Sequence, residues 1–173
     1  EHGLPVQIKW PNDLIHRGRK VAGMLSEARI EEGLLRELVF GIGLNINAST
    51  RDWPEHLQQS ATSLRAVAGS PQPLDFDEIS AGIIEAGVRA ADSYFNGAYA
   101  GVFDAQWAEF DGLKGKRVAL HPKLPTGEFP NPEGAIAGVS IGLSSDGALL
   151  LQTDDGRISA FHVGDVSLRE VAL

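Results

Sequence analysis

Residues 9–14 read Lys-Trp-Pro-Asn-Asp-Leu, a stretch that gathers a cation, two short polar side chains and a proline into six residues. Alternating apolar residues at 6–8 precede it and predict a short strand. Pro11 has no amide to donate and biases the residue before it away from helix, so this strand is predicted to end here. Asn12 and Asp13 then fall on a turn, where they either bond only to the local backbone or serve a binding site.

A basic loop, residues 17–20, leads from this turn into the apolar-rich stretch 21–30. Because side chains alternate between the two faces of a strand, the stretch is predicted to be a strand that begins at Lys20. Alternation divides its first residues into one face with Val21, Gly23 and Leu25 and another with Lys20, Ala22 and Met24. The Lys20 side chain is therefore predicted to leave from a fixed strand end; the alternative is an ordinary solvated basic loop.

After a hairpin turn at residues 31–33, a long apolar strand is predicted at residues 38–47, Leu-Val-Phe-Gly-Ile-Gly-Leu-Asn-Ile-Asn. Alternation gives it one continuous apolar face for helices to cover, while Gly41, Gly43 and Asn45 share the other face. Two glycines on one face remove side chains, so either a ligand or a packed helix can approach the backbone there.

The following part of the chain is predicted to be helical. A polar surface loop at residues 48–60, which includes Trp53, comes first. Helices are then predicted at residues 62–67, between an N-cap at Asp75 and a break at Gly97, and at residues 102–110. Asp75 is a typical N-cap for the long helix, with Glu78 three residues later as in a capping box.

The composition changes at residues 111–115, which we interpret as a domain boundary. Five strands are predicted beyond it, at residues 117–120, 134–143, 148–153, 158–162 and 166–168. Asp-Gly turns at 146–147 and 155–156 are strong hairpin signals. Five short strands so close together predict a small closed barrel, from which the proline-rich residues 122–132 protrude as a loop.

The overall composition excludes several classes of protein. The formal charge is −8, from 15 basic and 23 acidic residues, which argues against non-specific binding to nucleic acid or anionic membranes. The chain has no cysteine, and its five histidines lack metal-ligand spacing. No apolar run is long enough to span a bilayer and no signal peptide is visible, so a cytoplasmic location is expected. The chain begins with glutamate just before its richest motif, which predicts a fragment of a longer protein.

Five stretches in this order resemble biotin protein ligase, the family of enzymes that attach biotin to carboxylases. They are Lys-Trp-Pro-Asn-Asp-Leu at 9–14, Arg-Lys-Val-Ala-Gly-Met-Leu-Ser-Glu at 19–27, Gly-Ile-Gly-Leu-Asn-Ile-Asn at 41–47, Ala-Thr-Ser-Leu at 61–64 and Gly-Asp-Val-Ser-Leu-Arg at 164–169. The resemblance implies an α+β fold. A mixed sheet with packed helices, as in class II synthetases, would form the catalytic domain at residues 1–112, and a small SH3-like barrel would follow at 113–173.

The resemblance also implies a reaction in two steps. ATP and biotin give biotinyl-5′-AMP and pyrophosphate, and a lysine of a biotin carboxyl carrier protein then takes the biotin. Joining two anions requires cations and Mg²⁺ to offset their repulsion. By similarity, Lys20 lies at the biotin carboxyl group and the α-phosphate, and Lys9 lies near the phosphates. Asn12 and Asp13 lie at the nucleotide, with Asp13 at its metal.

The remaining site residues are likewise assigned by similarity. Gly41 and Gly43 let the strand line the biotin and adenylate pocket, and Asn45 bonds the adenine. Trp53 is a candidate to stack on the adenine, the alternative being a tryptophan pinned to the protein surface. Arg169 is expected to face the catalytic domain with Asp165 and to help enclose ATP or the carrier protein, the alternative being a surface salt bridge.

The sequence departs from the family in two places. The family's glycine- and arginine-rich biotin loop, which precedes the Lys-Trp motif, does not occur here, so this chain alone is expected to be inactive. The proline-rich insertion at 122–132 also departs from the compact family barrel. Nucleic acid would be a partner only if a DNA-binding domain preceded this chain, and homodimerisation stays open.

Three other hypotheses remain at this stage. A lipoate ligase or octanoyltransferase shares the broader catalytic fold, but residues 9–14 and the terminal barrel favour biotin. A non-catalytic sensor of biotin or of the adenylate is a second hypothesis. A structural β-barrel adaptor is the third, and it leaves the site motifs without a purpose.

Overall fold

The computed structural model describes residues 3–98, 100–121 and 134–168. Contacts divide the chain into two compact units. The first comprises the residues up to Gln7 together with Asp13–Phe110, and the second comprises Ile8–Asn12 together with the residues from Asp111 onward. The Lys-Trp-Pro-Asn part of the first motif therefore groups with the C-terminal residues, whereas Asp13 groups with the strands that follow it.

A four-stranded sheet has its strands in the order β1-β2-β3-β4, of which β2, β3 and β4 belong wholly to the first unit. The strands are β1 (Gln7–Lys9), β2 (Asp13–His16), β3 (Arg19–Glu31) and β4 (Leu34–Leu44). The ladders that join β2 to β3 and β3 to β4 are antiparallel, whereas a mixed sheet was expected. Two isolated bridges are parallel: Ile8 pairs with Asp111, and Lys20 pairs with Ala61.

Two tight turns connect the antiparallel strands. Arg17 and Gly18 join β2 to β3 with φ of 49° and 78°, and Glu32 and Gly33 join β3 to β4 with φ of 53° and 78°. Two successive residues with positive φ are typical of two-residue hairpins, whose twist matches that of the strands. The hairpin predicted at residues 31–33 is confirmed, whereas Asp13, predicted on a turn, begins strand β2.

Three helices follow the strands, α1 (Leu64–Ala68), α2 (Phe76–Phe95) and α3 (Ala100–Phe110). The polar loop before them contains two short 3₁₀ turns, Thr50–Asp52 and Glu55–Leu57. The Asp75 carboxylate accepts hydrogen bonds from the amides of Asp77 and Glu78 at 2.9 and 3.0 Å. These bonds satisfy two amides that an uncapped helix would leave unpaired, so the predicted N-cap is confirmed.

Large apolar side chains remain exposed in the first unit. Ile84, Val88 and Phe95 of α2 are each more than 60% exposed, and Phe40 and Ile42 of β4 are 60% and 47% exposed. The prediction that helices cover this face of β4 is therefore wrong for Phe40 and Ile42. Within residues 3–98 and 100–110, no helix buries Phe40 or Ile42. Ile84, Val88 and Phe95 of α2 are themselves exposed.

The second unit contains a five-stranded antiparallel sheet in the order β8-β7-β6-β5-β9. Its strands are β5 (Arg117–His121), β6 (Ile136–Leu143), β7 (Leu149–Gln152), β8 (Ile158–Phe161) and β9 (Asp165–Leu168). The two predicted Asp-Gly hairpins are confirmed: the amide of Gly147 donates to the Ser144 carbonyl and that of Gly156 to the Thr153 carbonyl, both at 2.9 Å. No ladder between the described parts of β8 and β9 closes this sheet, so the SH3-like barrel stays a prediction.

The core of the second unit is aliphatic and includes one tryptophan from the first motif. Its largest fully buried apolar side chains are those of Leu113, Val118, Leu120, Leu149, Leu151 and Val166. Trp10 is 4% exposed, and its Nε1 donates to the Gly147 carbonyl at 3.1 Å. The amide of Gly112 donates to the Ile8 carbonyl at 2.8 Å. Trp10 is therefore a core residue of this unit.

The four-stranded and five-stranded sheets share no ladder between described residues. The assignment of residues 1–112 and 113–173 to a catalytic and an SH3-like domain remains a prediction. The proline-rich residues 122–132 and Arg169 lie outside the described residues. Among the described helices, none combines the length and apolar character that crossing a membrane requires.

Candidate functional site

The first unit contains a close ion pair between two residues that the sequence assigned to a binding site. Lys20 Nζ lies 2.6 Å from Asp13 Oδ1. The Lys20 side chain is 50% exposed and that of Asp13 is 17% exposed, so the pair lies at the surface of the sheet and can be reached from solvent. An ion pair this exposed contributes little to stability, about 0 to 1 kcal/mol. Its main physical effect is to fix the position of the ammonium group.

A β-bulge brings Lys20 to the face that carries Asp13. Leu14 pairs with Ala22, but the next residue of β2, Ile15, pairs with Lys20, so Val21 is an extra residue in β3. An extra residue reverses the alternation of side chains beyond it. The prediction that Lys20 shares a face with Ala22 and Met24 is therefore wrong, because simple alternation takes no account of a bulge.

The same face carries a row of glycines next to the ion pair. Asp13 of β2 is paired with Gly23 of β3, and Gly23 is paired in turn with Gly43 of β4. Gly41 lies opposite Leu25 in the adjoining row. A Cβ added at Gly41 or Gly43 would come no closer than 3.8 or 3.9 Å to the nearest backbone oxygen, so the protein itself leaves open space there. The face predicted for these two glycines is confirmed, and their role as binding residues stays a prediction.

Hydrogen bonds on both sides hold the backbone of Lys20. Its amide donates to the Ser60 carbonyl, and its carbonyl accepts from the Thr62 amide, each at 2.8 Å. Thr62 is 2% exposed and Ser63 is fully buried, with Ser63 Oγ donating to the Ala48 carbonyl at 2.7 Å. The Ala-Thr-Ser-Leu motif therefore forms a buried support beneath Lys20, and the fixed strand end predicted for this residue is confirmed.

Asn45, predicted to bond adenine, braces the same support. Its Nδ2 donates to the Thr62 carbonyl at 3.1 Å and makes a longer contact of 3.5 Å with the Lys20 carbonyl. Its amide donates to the Val21 carbonyl at 2.9 Å. Asn45 therefore lies beside the bulge and links it to residues 60–62. A role in binding adenine stays a prediction.

The remaining predicted site residues are Trp53, Lys9, Asn12, Arg169 and Asp165. Trp53 lies half-buried between the two 3₁₀ turns, and its carbonyl accepts from Gln58 Nε2 at 3.0 Å. Lys9 and Asn12 group with the second unit. Arg169 lies outside the described residues, and the structure does not describe the side chain of Asp165.

A bound metal would have few protein ligands in the described part of the chain. Residues 3–98, 100–121 and 134–168 contain no group of three His, Asp or Glu side chains placed to hold an ion. Mg²⁺ is commonly held by one or two carboxylates together with substrate phosphates and water, and Asp13 supplies one carboxylate. The site therefore fits a metal that arrives with a nucleotide.

Sequence reasoning missed two parts of this arrangement, Gly23 and the backbone of residues 60–62. Both were present in the sequence, within the stretches 19–27 and 61–64 and the polar loop. The signal available for Gly23 was a glycine three residues after a lysine in a strand. Its meaning depended on the bulge at Val21, which alternation could not reveal.

Comparisons with known proteins connect both ends of the chain with one family. The model described as "Biotin/lipoate A/B protein ligase family" matches residues 1–45, and the model described as "Biotin protein ligase C terminal domain" matches residues 126–169. The first match contains Asp13, Lys20 and Gly23. The resemblance inferred from the sequence is therefore confirmed.

Individual relatives match nearly the whole chain. The bifunctional ligase/repressor BirA of Bacillus subtilis is 28% identical over 166 residues, which cover 96% of this chain and 47% of that protein. BirA of Escherichia coli is 32% identical over 164 residues, 95% of this chain and 46% of that protein. The chain thus spans about half the length of these curated relatives.

A solved structure resembles the fold over most of the chain. The biotin protein ligase from Aquifex aeolicus in complex with biotin and ATP is 27% identical, with a TM-score of 0.71. The similarity covers 95% of this chain and 62% of that one. The α/β architecture with two antiparallel sheets therefore has a counterpart among solved structures.

Proposed function

We propose that this chain, which belongs to the biotin protein ligase family, forms part of an ATP-dependent biotin ligase. The enzyme forms biotinyl-5′-AMP and transfers the biotin to a lysine of a biotin carboxyl carrier protein. The activity is assigned to the complete protein that carries this sequence, because the chain spans about half the length of its curated relatives.

The observation that carries the proposal is the ion pair of Lys20 and Asp13 beside a row of glycines. The first chemical step brings a carboxylate to a triphosphate, and an ammonium group fixed in position offsets their repulsion. Glycines at positions 41 and 43 leave room for a flat, extended ligand to lie against the strand backbone. A cation and a surface clear of side chains thus occur on the same face.

In the proposed first step, a carboxylate oxygen of biotin attacks the α-phosphorus of ATP. The bond between the α-phosphorus and its bridging oxygen breaks, and pyrophosphate leaves. Lys20 donates hydrogen bonds to the oxygens that carry the developing charge, and Asp13 holds the ammonium in place. In the second step, the amine of the carrier lysine attacks the carbonyl carbon of the mixed anhydride, and AMP leaves.

The proposal includes the residues whose roles rest on resemblance. Lys9, Asn12 and Arg169 contribute to binding the nucleotide, and Trp53 covers the adenine. Asn45 contacts the adenine through atoms other than the Nδ2 that braces Thr62. The roles of Lys9, Asn12, Asn45 and Arg169 are supported by the match of their motifs to the family, and that of Trp53 by its place in the loop after β4.

A magnesium ion fits the proposal because Asp13 provides a carboxylate next to the expected phosphates. When bound, Mg²⁺ neutralises phosphate charge and favours the departure of pyrophosphate. Asp13 is the residue that would hold it, together with the phosphates and water.

The domain assignment is also part of the proposal. Residues 1–112 form part of the catalytic domain, and residues 113–173 form an SH3-like domain. The five-stranded antiparallel order of β5 to β9 and the match of a C-terminal domain model to residues 126–169 support the second assignment. The cytoplasm is the proposed location.

The test is pyrophosphate release by the complete protein with ATP and either biotin or lipoate. Release that depends on biotin, followed by biotin transfer to a purified carrier domain, supports the proposal. Release with lipoate and none with biotin assigns a lipoate ligase, which the name of the matching family also includes. Binding of biotin without release of pyrophosphate by the complete protein assigns a sensor and contradicts the proposal.

A further inference from the structure

We infer that Gly23 is a positioning residue for the proposed reaction, because its missing side chain is what allows the Lys20 ammonium to lie against Asp13. This inference rests on the proposed function and adds to it a residue that acts through Lys20. Three features of Lys20 support it: the direction of its side chain, the restraint on its backbone and the space that its ammonium occupies.

The bulge at Val21 sets the direction of the Lys20 side chain. Asp13 is paired with Gly23, and Ile15, two residues later in β2, is paired with Lys20. Positions two residues apart in a strand share a face, so Lys20 lies on the face of Asp13 and Gly23. Without the extra residue, Lys20 and Gly23 would lie on opposite faces. Bulges beside functional sites commonly redirect a side chain in this way.

Hydrogen bonds on both sides restrain the backbone of Lys20 against a change at Gly23. Its amide and carbonyl are bonded to Ser60 and Thr62 at 2.8 Å on each side. The segment that makes these bonds is itself buried at Thr62. A side chain introduced at Gly23 is therefore expected to displace the Lys20 side chain rather than the Lys20 backbone.

The space above Gly23 is occupied by the end of that side chain. A Cβ added at Gly23 would lie 2.8 Å from Lys20 Nζ, 2.9 Å from Lys20 Cε and 3.2 Å from Asp13 Oδ1. Contacts below 3.0 Å do not persist between carbon and these atoms, so the ammonium would have to move. A Cβ added at Gly43, which lies in β4 opposite Gly23, would have the Gly23 carbonyl oxygen as its nearest neighbour, at 3.9 Å. Among Gly23, Gly41 and Gly43, the glycines of this face, such crowding therefore occurs at Gly23.

The predicted consequence is a displaced ammonium in a protein that still folds. The atoms in conflict are the flexible end of a half-exposed lysine, which can rotate away into solvent. Misplacing a reacting or stabilising group by about 1 Å can lower a rate by about 100-fold. Gly23→Ala should thus slow formation of the adenylate by about 10- to 100-fold.

The experiment compares four forms of the complete protein, the unaltered protein, Gly23→Ala, Lys20→Ala and the double variant. Biotin-dependent pyrophosphate release and urea unfolding are measured for each. Gly82→Ala, in α2, is the matched control, because a Cβ there meets nothing within 4 Å and Gly82 lies outside the proposed site. Gly82→Ala should retain the activity of the unaltered protein.

A double-mutant cycle separates positioning from a general structural effect. If Gly23 acts through Lys20, Gly23→Ala lowers the rate in the unaltered background and has no further effect once Lys20 is alanine. Equal losses in both backgrounds, or an unchanged rate for Gly23→Ala, would overturn the inference. Loss of unfolding free energy that accounts for the loss of activity would overturn it as well.

A crystal structure of Gly23→Ala tests the geometry without any activity. The Lys20 Nζ to Asp13 Oδ1 distance should increase from 2.6 Å to beyond about 4 Å, the usual limit of an ion pair. An intact pair would overturn the inference. If the unaltered protein released no pyrophosphate with biotin, the proposed function would fail, and this distance would still decide whether Gly23 positions the ammonium.

Discussion

Lys20 combines a backbone held on both sides with a side chain that is half exposed to solvent. The sequence predicted Lys20 at the end of a strand. The resemblance of its motif to biotin protein ligase implied a role at the biotin carboxyl group and the α-phosphate. Its partner could not be predicted in the same way, because Asp13 was expected on a turn and lies instead at the start of β2. The ion pair follows from the hairpin that brings the two strands together.

Replacing Lys20 by alanine should slow adenylate formation by about 10² to 10³, the usual cost of removing one donor that stabilises developing charge. Biotin should also bind more weakly, because the ammonium attracts its carboxylate. The unfolding free energy should change little, since the Lys20 side chain is half exposed. Pyrophosphate release and urea unfolding of the complete protein measure the two effects.

The control for this substitution is Lys20→Arg, which keeps the charge. Arginine should restore the rate only in part, because the planar guanidinium is bulkier than an ammonium and Gly23 leaves space for a compact group. A Lys20→Ala protein that forms the adenylate at the unaltered rate would remove Lys20 from the mechanism.

At the scale of elements, strand β5 is joined to the turn after β7 by a bidentate ion pair. Arg117 donates through Nη1 and Nη2 to the two carboxylate oxygens of Asp154 at 2.6 and 2.7 Å. These hydrogen bonds, and the charge of Arg117, hold the pKa of Asp154 below its ordinary value of 3.8. The pKa of Arg117 is raised by the same interaction.

The depressed pKa of Asp154 makes the stability of the second unit depend on pH in a definite direction. In the unfolded chain Asp154 takes up a proton more readily, so acid favours unfolding. The contribution is complete above the ordinary value of 3.8 and disappears as pH falls through the lower folded pKa. In Arg117→Ala, the titration midpoint of Asp154, followed by carboxyl NMR, should rise towards 3.8.

Asp155 provides the internal control for that titration. Its pKa is also lowered, chiefly by a hydrogen bond from Thr153 and then by the amide of Arg157. Neither interaction involves Arg117, so the midpoint of Asp155 should stay low in the variant. Equal movement of both midpoints, or none at Asp154, would show that Arg117 is not the cause.

At the scale of the whole chain, burial is uneven between the two units. Leu120 of β5 is fully buried and β5 pairs with both β6 and β9, whereas Phe40 and Ile84 of the first unit are at least 60% exposed. Burying apolar surface contributes about 25 cal/mol per Å², so the described first unit obtains less stabilisation from these side chains. Substitutions of buried apolar residues should therefore lower the unfolding free energy most in the second unit.

Replacing Leu120 by alanine should lower the unfolding free energy by about 2 to 5 kcal/mol, because it removes buried methyl groups and leaves a cavity. Urea unfolding followed by tryptophan fluorescence, to which the buried Trp10 of the second unit contributes, reports the change. The matched control is Val163→Ala, since Val163 is 58% exposed and lies outside the strands. Its effect should stay within about 0.5 kcal/mol. Similar losses in both variants would contradict a core at Leu120.

The sequence by itself determined the local structure and the family. Alternation located β3 and β4, Asp75 marked the start of α2, Asp-Gly pairs marked the hairpins of the second sheet, and the motifs identified the family. Each of these signals depends on residues a few positions apart, whose conformational preferences act locally.

Only the tertiary structure decided how these elements combine. It grouped Trp10 with the C-terminal sheet, left the apolar face of β4 exposed at Phe40, and directed Lys20 towards Asp13 through the bulge at Val21. One extra residue in a ladder reverses the faces of a strand, and whether it occurs depends on pairing with distant residues rather than on the strand's own sequence.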